Sequence, residues 1–130
     1  KNENIDAVFG SRFIKGSRTV DYPKKKLILN RIFNIITKLL FISDYNDFTN
    51  AFKIYKKNAL LKTLPLVSES FNIFLELPLK IISRKMKYKI IPISWVNRKE
   101  GTSKFDIKEL RAKYLFTLIY CLLEKILLKK

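Results

Sequence analysis

The sequence predicts an α/β layer fold built on a thin sheet. Short runs rich in β-branched and aromatic residues, at Ala7–Phe9, Phe52–Tyr55 and Tyr88–Val96, have the length and composition of strands. Longer stretches between and after them carry apolar residues at helical spacing. The resulting order is strand, helix, strand, helix, helix, strand, helix, which is that of a layered fold with few strands. The chain has 130 residues, enough for one domain with a real core, and 48% of them are hydrophobic, which excludes a disordered basic tail.

Each element has a local reason. Ile5 and Ala7-Val8-Phe9 run into Gly10-Ser11 and read as a buried strand ending in a loop. Gly10 to Pro23 holds Gly16, Ser17 and Asp21 with Arg12, Lys15 and Arg18, and reads as loop throughout. From Lys24 to Ile42 the residues Ile28, Ile32, Ile35, Ile36, Leu39 and Leu40 form one helical stripe, expected to face the core. Lys26, Asn30, Arg31, Asn34 and Lys38 form its opposite, polar face, and Pro23 suits the helix start. Ser43–Asn50 is a polar connection containing Asp44 and Asp47.

A short helix is expected from Lys57 to Leu64, before Pro65. Ser68–Ser83 reads as a helix with Phe71, Phe74, Leu75, Ile81 and Ile82 inward, kinked or split at Pro78. Tyr88–Val96 reads as a strand that Pro92 confines to an edge or a bulge. Asn97–Asp106 is a charged loop around Gly101, and Asp106 with Glu109 fits a capping box for a last helix running from Ile107 towards Lys130.

With 27 Lys plus Arg, 11 Asp plus Glu and no His, the net charge is +16. That balance favours polyanions, anionic membrane surfaces and phosphate-bearing ligands, although an Ile-, Lys-, Asn- and Phe-rich coding bias would also produce it. One Cys and no His exclude disulfide frameworks, zinc fingers, His-based triads and His metal centres within this chain. Cys121, among Tyr120, Leu122 and Leu123, reads as a buried small hydrophobe. The start at Lys1 rather than Met reads as a fragment or a processed product, without a signal peptide.

In the last helix only nine residues, Leu115 to Leu123, precede Glu124, whereas a membrane span needs about 20. Lys108, Arg111, Lys113, Lys125, Lys129 and Lys130 flank this apolar stretch. The helix suits either the headgroup plane of an anionic membrane or a place on the sheet, with different faces serving each.

No Gly-rich phosphate loop and no Asp-x-Asp is present. Five polar features do follow one another in order. They are Gly10-Ser11-Arg12 after a strand, a basic helix with Lys26 and Asn30, Asp47-Phe48-Thr49-Asn50-Ala51-Phe52-Lys53, the helical Glu76, and Pro92-Ile93 leading to Asn97–Lys104. In that order and spacing the chain resembles the polyprenyl-phosphate glycosyltransferases of glycosyltransferase family 2, the dolichol-phosphate mannosyltransferase-like group.

The resemblance implies the acceptor-side, C-terminal half of a GT-A-like fold over residues 1–106, followed by a C-terminal amphipathic helix over 107–130. It implies transfer of a sugar from a nucleotide sugar to a polyprenyl phosphate, dolichyl or undecaprenyl, at the cytoplasmic face of the cell membrane. By that resemblance Arg12, Lys26 and Asn30 hold the acceptor phosphate, Asp47 lies at the transfer centre, and Arg98, Ser103 and Lys104 close on the donor diphosphate. A divalent metal, Mg or Mn, is expected for the intact enzyme, with ligands upstream of this chain, so that the chain alone is inactive. The sequence departs from the family at Lys26, Asn30, Asn50 and Ala51, where Arg, Ser, Ser and Gly are usual. Lys26 keeps charge but loses bidentate geometry, and Ala51 leaves close backbone approach at that turn open.

Each of these residues also fits a plain structural part. Arg12, Arg98 and Lys104 fit solvated loop charges, Lys26 and Asn30 a solvated helix face, Asp47 a turn cap, and Trp95 a core or interface residue. The alternative for the whole chain is a non-catalytic remnant or a basic membrane-surface module. Nucleic acid is not expected as a partner, because no reader motif appears and the basic residues are scattered.

Overall fold

The computed structural model describes residues 4–96 and 107–127. The elements are β1 (Ala7–Ser11), β2 (Arg18–Val20), α1 (Lys24–Phe41), β3 (Lys53–Tyr55), α2 (Lys57–Thr63), α3 (Ile73–Ser83), β4 (Tyr88–Pro92), β5 (Ser94–Val96) and α4 (Ile107–Leu127). The main sheet has the order β3-β1-β4, with β1 antiparallel to β3 and parallel to β4. Helices flank this mixed sheet, and the architecture is α/β as expected.

The core gathers on β1. Phe9 is fully buried, stacks on Tyr88 at 5.1 Å and meets Tyr45 at 4.8 Å. Phe48, Leu75, Leu79, Leu118 and Cys121 close the same cluster. Burial pushes the Cys121 thiol up to about 12, which suits a packing residue rather than a nucleophile.

Three segments differ from expectation. The stretch from Gly10 to Pro23 contains a strand, because β2 pairs in parallel with β5 as a separate two-stranded sheet. The Tyr88–Val96 run accordingly divides at Ile93: β4 stays at the edge of the main sheet, where Pro92 is tolerated, and β5 leaves for the second sheet. Tyr22 against Trp95, at 4.7 Å, closes that small sheet and gives Trp95 a packing role.

The predicted Ser68–Ser83 helix begins only at Ile73 and passes through Pro78 unbroken. Pro78 has no N–H to offer the Phe74 carbonyl. The Lys53 ammonium donates to that carbonyl instead, at 2.9 Å. Leu75 and Ile81 are buried as expected, while Phe71 is 44% exposed.

The largest reversal concerns α1. Its buried residues are Asn34, Thr37 and Phe41. The stripe expected to face the core faces outward: Ile28, Ile32, Ile35 and Ile36 are 46–58% exposed and Leu39 71%. Asn34 explains the inversion. It accepts from Phe48 N at 2.6 Å and donates to Asn30, so the polar face anchors the connection that follows the helix.

α4 starts where predicted, and its expected cap, Asp106 with Glu109, lies outside the described side chains. It docks on α3 through Leu118, Cys121 and a hydrogen bond from Asn72 Nδ2 to Thr117 Oγ1 of 2.9 Å. Beside this contact lies an ion network whose Glu76 and Lys80 are buried and whose Arg84 and Glu124 are partly exposed. Lys80 Nζ is 2.8 Å from Glu76 Oε2 and 3.9 Å from Glu124 Oε2, and Arg84 pairs with Glu124 at 2.7 Å. Glu76 also accepts from Val67 N and Ser68 N at 2.9 and 2.8 Å.

Burial would raise the Glu76 carboxyl, but Lys80 and these N–H groups outweigh it and hold the group below its ordinary value. A folded value below the unfolded one stabilises the protein above about pH 4.5 and ceases to do so as pH falls through the folded value. Glu76→Gln should therefore cost about 3 kcal/mol in urea unfolding at neutral pH, because it takes from the buried Lys80 its nearer carboxylate and leaves only Glu124, at 3.9 Å. The same variant should lose part of the wild-type decline in stability at acid pH.

Candidate functional site

The candidate site forms where the end of β1 meets the connection between α1 and β3. Gly10 is required there by close approach: a Cβ would lie 2.9 Å from both the Phe52 carbonyl oxygen and Ile93 Cγ2. The Gly10 carbonyl accepts from Tyr45 OH and Asn50 Nδ2, each at 2.8 Å. Ser11 then donates to Asn46 Oδ1 at 2.6 Å, and Asn46 Nδ2 reaches the Phe13 carbonyl at 3.1 Å. These bonds fix the turn that carries Arg12.

Arg12 and Asp47 form one unit. The Asp47 carboxylate accepts from Arg12 Nε at 2.9 Å, from Nη2 at 2.8 Å and from the Arg12 backbone N–H at 2.9 Å. Asp47 is 0% exposed and the Arg12 side chain 9%. Burial works against the guanidinium charge, but Asp47 outweighs it and holds Arg12 above its ordinary value. Asp47 grips the Nε–Nη2 edge, which leaves the Nη1 edge pointing away from the carboxylate. The visible work of Asp47 is thus to neutralise and aim Arg12.

Two guanidinium groups approach the Phe13 ring. Arg12 Cζ is 5.3 Å and Arg31 Cζ 4.4 Å from its ring centroid. Arg31 also donates to the Asn46 carbonyl at 3.4 Å. Sequence reading placed Arg31 on the polar face of its helix without singling it out. The missing signal was Phe13, whose ring both guanidinium groups approach.

The remaining expected residues divide. Asn30 joins the site, donating to Thr49 Oγ1 at 3.0 Å and taking a hydrogen bond from Asn34. Lys26, one turn earlier, is exposed at the edge of α1. Arg98, Ser103 and Lys104 lie outside the described residues. Lys53 ends the Asp47–Lys53 motif, and the sequence reading gives it no role of its own. Its ammonium donates to the carbonyls of Phe48, Asn50 and Phe74, tying the connection to α3. Burial pushes Lys53 down to about 7, opposed by the pull of Asp47.

A groove of about 760 Å³ lies elsewhere, along the free edge of β4 between Asp44, Met86 and Tyr88. Its lining includes neither arginine, so we place the site by chemistry rather than by concavity. Among the described residues no group of three or more His, Cys, Asp or Glu could hold a metal ion. The divalent metal expected for the intact enzyme has its expected ligands upstream of these residues, and no step below passes through one.

No family model and no solved structure matches the chain. Among curated proteins it is 25% identical over 108 residues to the polyprenol monophosphomannose synthase of Mycolicibacterium smegmatis, covering 82% of this chain and 41% of that protein. The chain spans about two fifths of that relative's length. The similarity supports a relationship to glycosyltransferases. The mixed sheet flanked by helices is compatible with part of a GT-A-like fold.

The Arg12–Asp47 unit makes a separable prediction. Arg12→Ala should lower stability by about 3–5 kcal/mol, because it leaves a buried carboxylate without its partner. Arg12→Ala combined with Asp47→Asn should recover much of that loss in thermal melts. If Arg12 also binds an anion, the double variant should stay defective in phosphate-ligand binding despite its restored melt.

Proposed function

We propose that this chain is the acceptor-side part of a glycosyltransferase that moves a sugar from a nucleotide sugar to a polyprenyl phosphate. The observation that carries the reading is the guanidinium pair around Phe13, with Arg12 aimed by a buried Asp47. It occupies the Gly-Ser-Arg turn of a chain similar to a polyprenol monophosphomannose synthase.

The chemistry suits these residues. A phosphate acceptor is anionic at neutral pH and attacks the anomeric carbon directly. The new bond joins a phosphate oxygen to that carbon, and the bond from carbon to the donor diphosphate breaks. The nucleoside diphosphate leaves with the electron pair. No general base is required, in keeping with a chain without His. What the reaction needs is positive charge where two anions meet.

In this reading Arg12 and Arg31 hold the acceptor phosphate, with Lys26 and Asn30 at its rim. Asp47 is a positioning residue that acts through Arg12. Arg98, Ser103 and Lys104 serve the donor diphosphate. The metal-binding and nucleotide-binding parts lie outside the described residues, and transfer requires them. The polyprenyl chain stays in the bilayer, so the protein works peripherally, at the cytoplasmic face.

The test is transfer of labelled sugar from a panel of nucleotide sugars to polyprenyl phosphate by the intact protein. Arg31→Gln should raise the half-saturating polyprenyl phosphate concentration about 10-fold, in line with loss of one charge-assisted contact. Arg98→Ala should lower turnover strongly while the circular dichroism spectrum stays that of wild type. Wild-type kinetics in both variants, or no transfer from any donor, would sink the reading.

A further inference from the structure

β4 is an edge strand with one side of its backbone open. Among the described residues it pairs with β1 alone, at the end of the order β3-β1-β4. Along a parallel strand, successive residues turn their backbone groups to opposite sides. The Lys87 carbonyl accepts from Ala7 N, and Ile93 N donates to the Ser11 carbonyl, so the odd-numbered residues serve β1. The N–H and C=O groups of Tyr88 and Ile90 therefore point outward from the sheet. Pro92 shares that outward register, and its missing N–H costs the ladder nothing.

The surface along this edge combines apolar lining with a basic rim. Ile5, Met86, Tyr88 and Ile90 line the groove of about 760 Å³ that follows the strand. A second groove, of about 470 Å³, shares Met86 and Lys87 with the first and extends it to Lys62 and Lys85. Lys62, Lys85, Lys87 and Lys89 are exposed, and none of them pairs with a described carboxylate. The acidic residues in the two linings are Asp44 and Asp6, and Asp6 already accepts from Lys87 N at 3.0 Å. Cations are thus in excess along the edge and lack partners.

We propose that the free edge of β4 is a docking site for an acidic peptide segment of a partner protein, which adds to the sheet as an extended strand. Outward N–H and C=O groups recognise a backbone in extended form. The lysines then select acidic side chains on the incoming strand and speed its encounter. A second copy of this chain does not match the charge. Two β4 edges paired about a twofold axis would set Lys87 and Lys89 against their own copies, on chains that each carry +16. A nucleic acid would answer the lysines and leave the backbone groups of Tyr88 and Ile90 without partners. The grooves include neither Arg12 nor Arg31, so the docking claim does not depend on the sugar-transfer reading.

The experiment uses the intact protein and a short fluorescein-labelled peptide of alternating Glu and Val. The peptide should bind saturably. Its counterpart N-methylated at consecutive residues has the same charge but cannot donate hydrogen bonds along its edges, and should bind about 10-fold more weakly. Lys87→Glu with Lys89→Glu should weaken binding of the unmethylated peptide about 10-fold. Both positions are exposed, and the circular dichroism spectrum should not change. Amide hydrogen exchange locates the contact: with peptide bound, exchange at Tyr88 and Ile90 should slow, while Lys89 and Ile91, already turned towards β1, should not change. No binding, equal affinity for the methylated peptide, wild-type affinity in the Glu variant, or unchanged exchange at Tyr88 and Ile90 would each overturn the proposal. Heparin binding in place of peptide binding would also overturn it, and would leave a general polyanion surface. Slow exchange at Tyr88 and Ile90 before peptide is added would overturn it too, and would assign the edge to a segment of the protein itself. Failure of sugar transfer with intact peptide binding would remove the enzymatic reading and leave the docking edge standing.

Discussion

A carboxylate enclosed without access to water must be neutralised in place, and much of this structure follows from Asp47 meeting that demand. Arg12 supplies the charge and three hydrogen bonds, including its own backbone N–H. To deliver them, β1 must end at Ser11 and turn at once, and the connection after α1 must come to lie against that turn. A buried, unpaired carboxylate would shift its protonation or unfold its surroundings. The pairing therefore fixes the relation between two segments 35 residues apart in sequence.

The connection from Ser43 to Asn50 has little regular structure of its own, so its backbone groups need partners from elsewhere. They come from every neighbouring element. Asn34 of α1 serves Phe48 N, Lys53 of β3 serves the carbonyls of Phe48 and Asn50, and Asn50 itself reaches back to Gly10. The same ammonium fills the place that Pro78 leaves in α3. One lysine thus joins a connection, a strand and a helix, which is why a proline within α3 does not break it.

These commitments turn α1 over. A helix whose polar face is needed inside has no choice but to present its apolar face outside. The inversion leaves α1 with an exposed isoleucine and leucine stripe on a helix whose only charged residues are basic. Meanwhile the core proper is small and aromatic, centred on Phe9, and is closed from the other side by α3, α4 and the Glu76–Lys80 pair.

The sequence by itself determined the class of fold and the place of most helices and strands, because periodicity and punctuation by Gly and Pro are local properties. It also marked Arg12 and Asp47, since both stand in compact motifs next to predicted elements. It could not say that they bind each other, nor that Arg31 joins them over Phe13, because those contacts are made across distant segments. It placed β4 and β5 in one strand, as a β-branched run contains no sign of which sheet each half will join. Above all, a hydrophobic stripe states that something apolar covers it and is silent on whether that is the protein's own core. Only the tertiary structure decided the matter, by showing that hydrogen bonds to a buried connection claim the other face of α1.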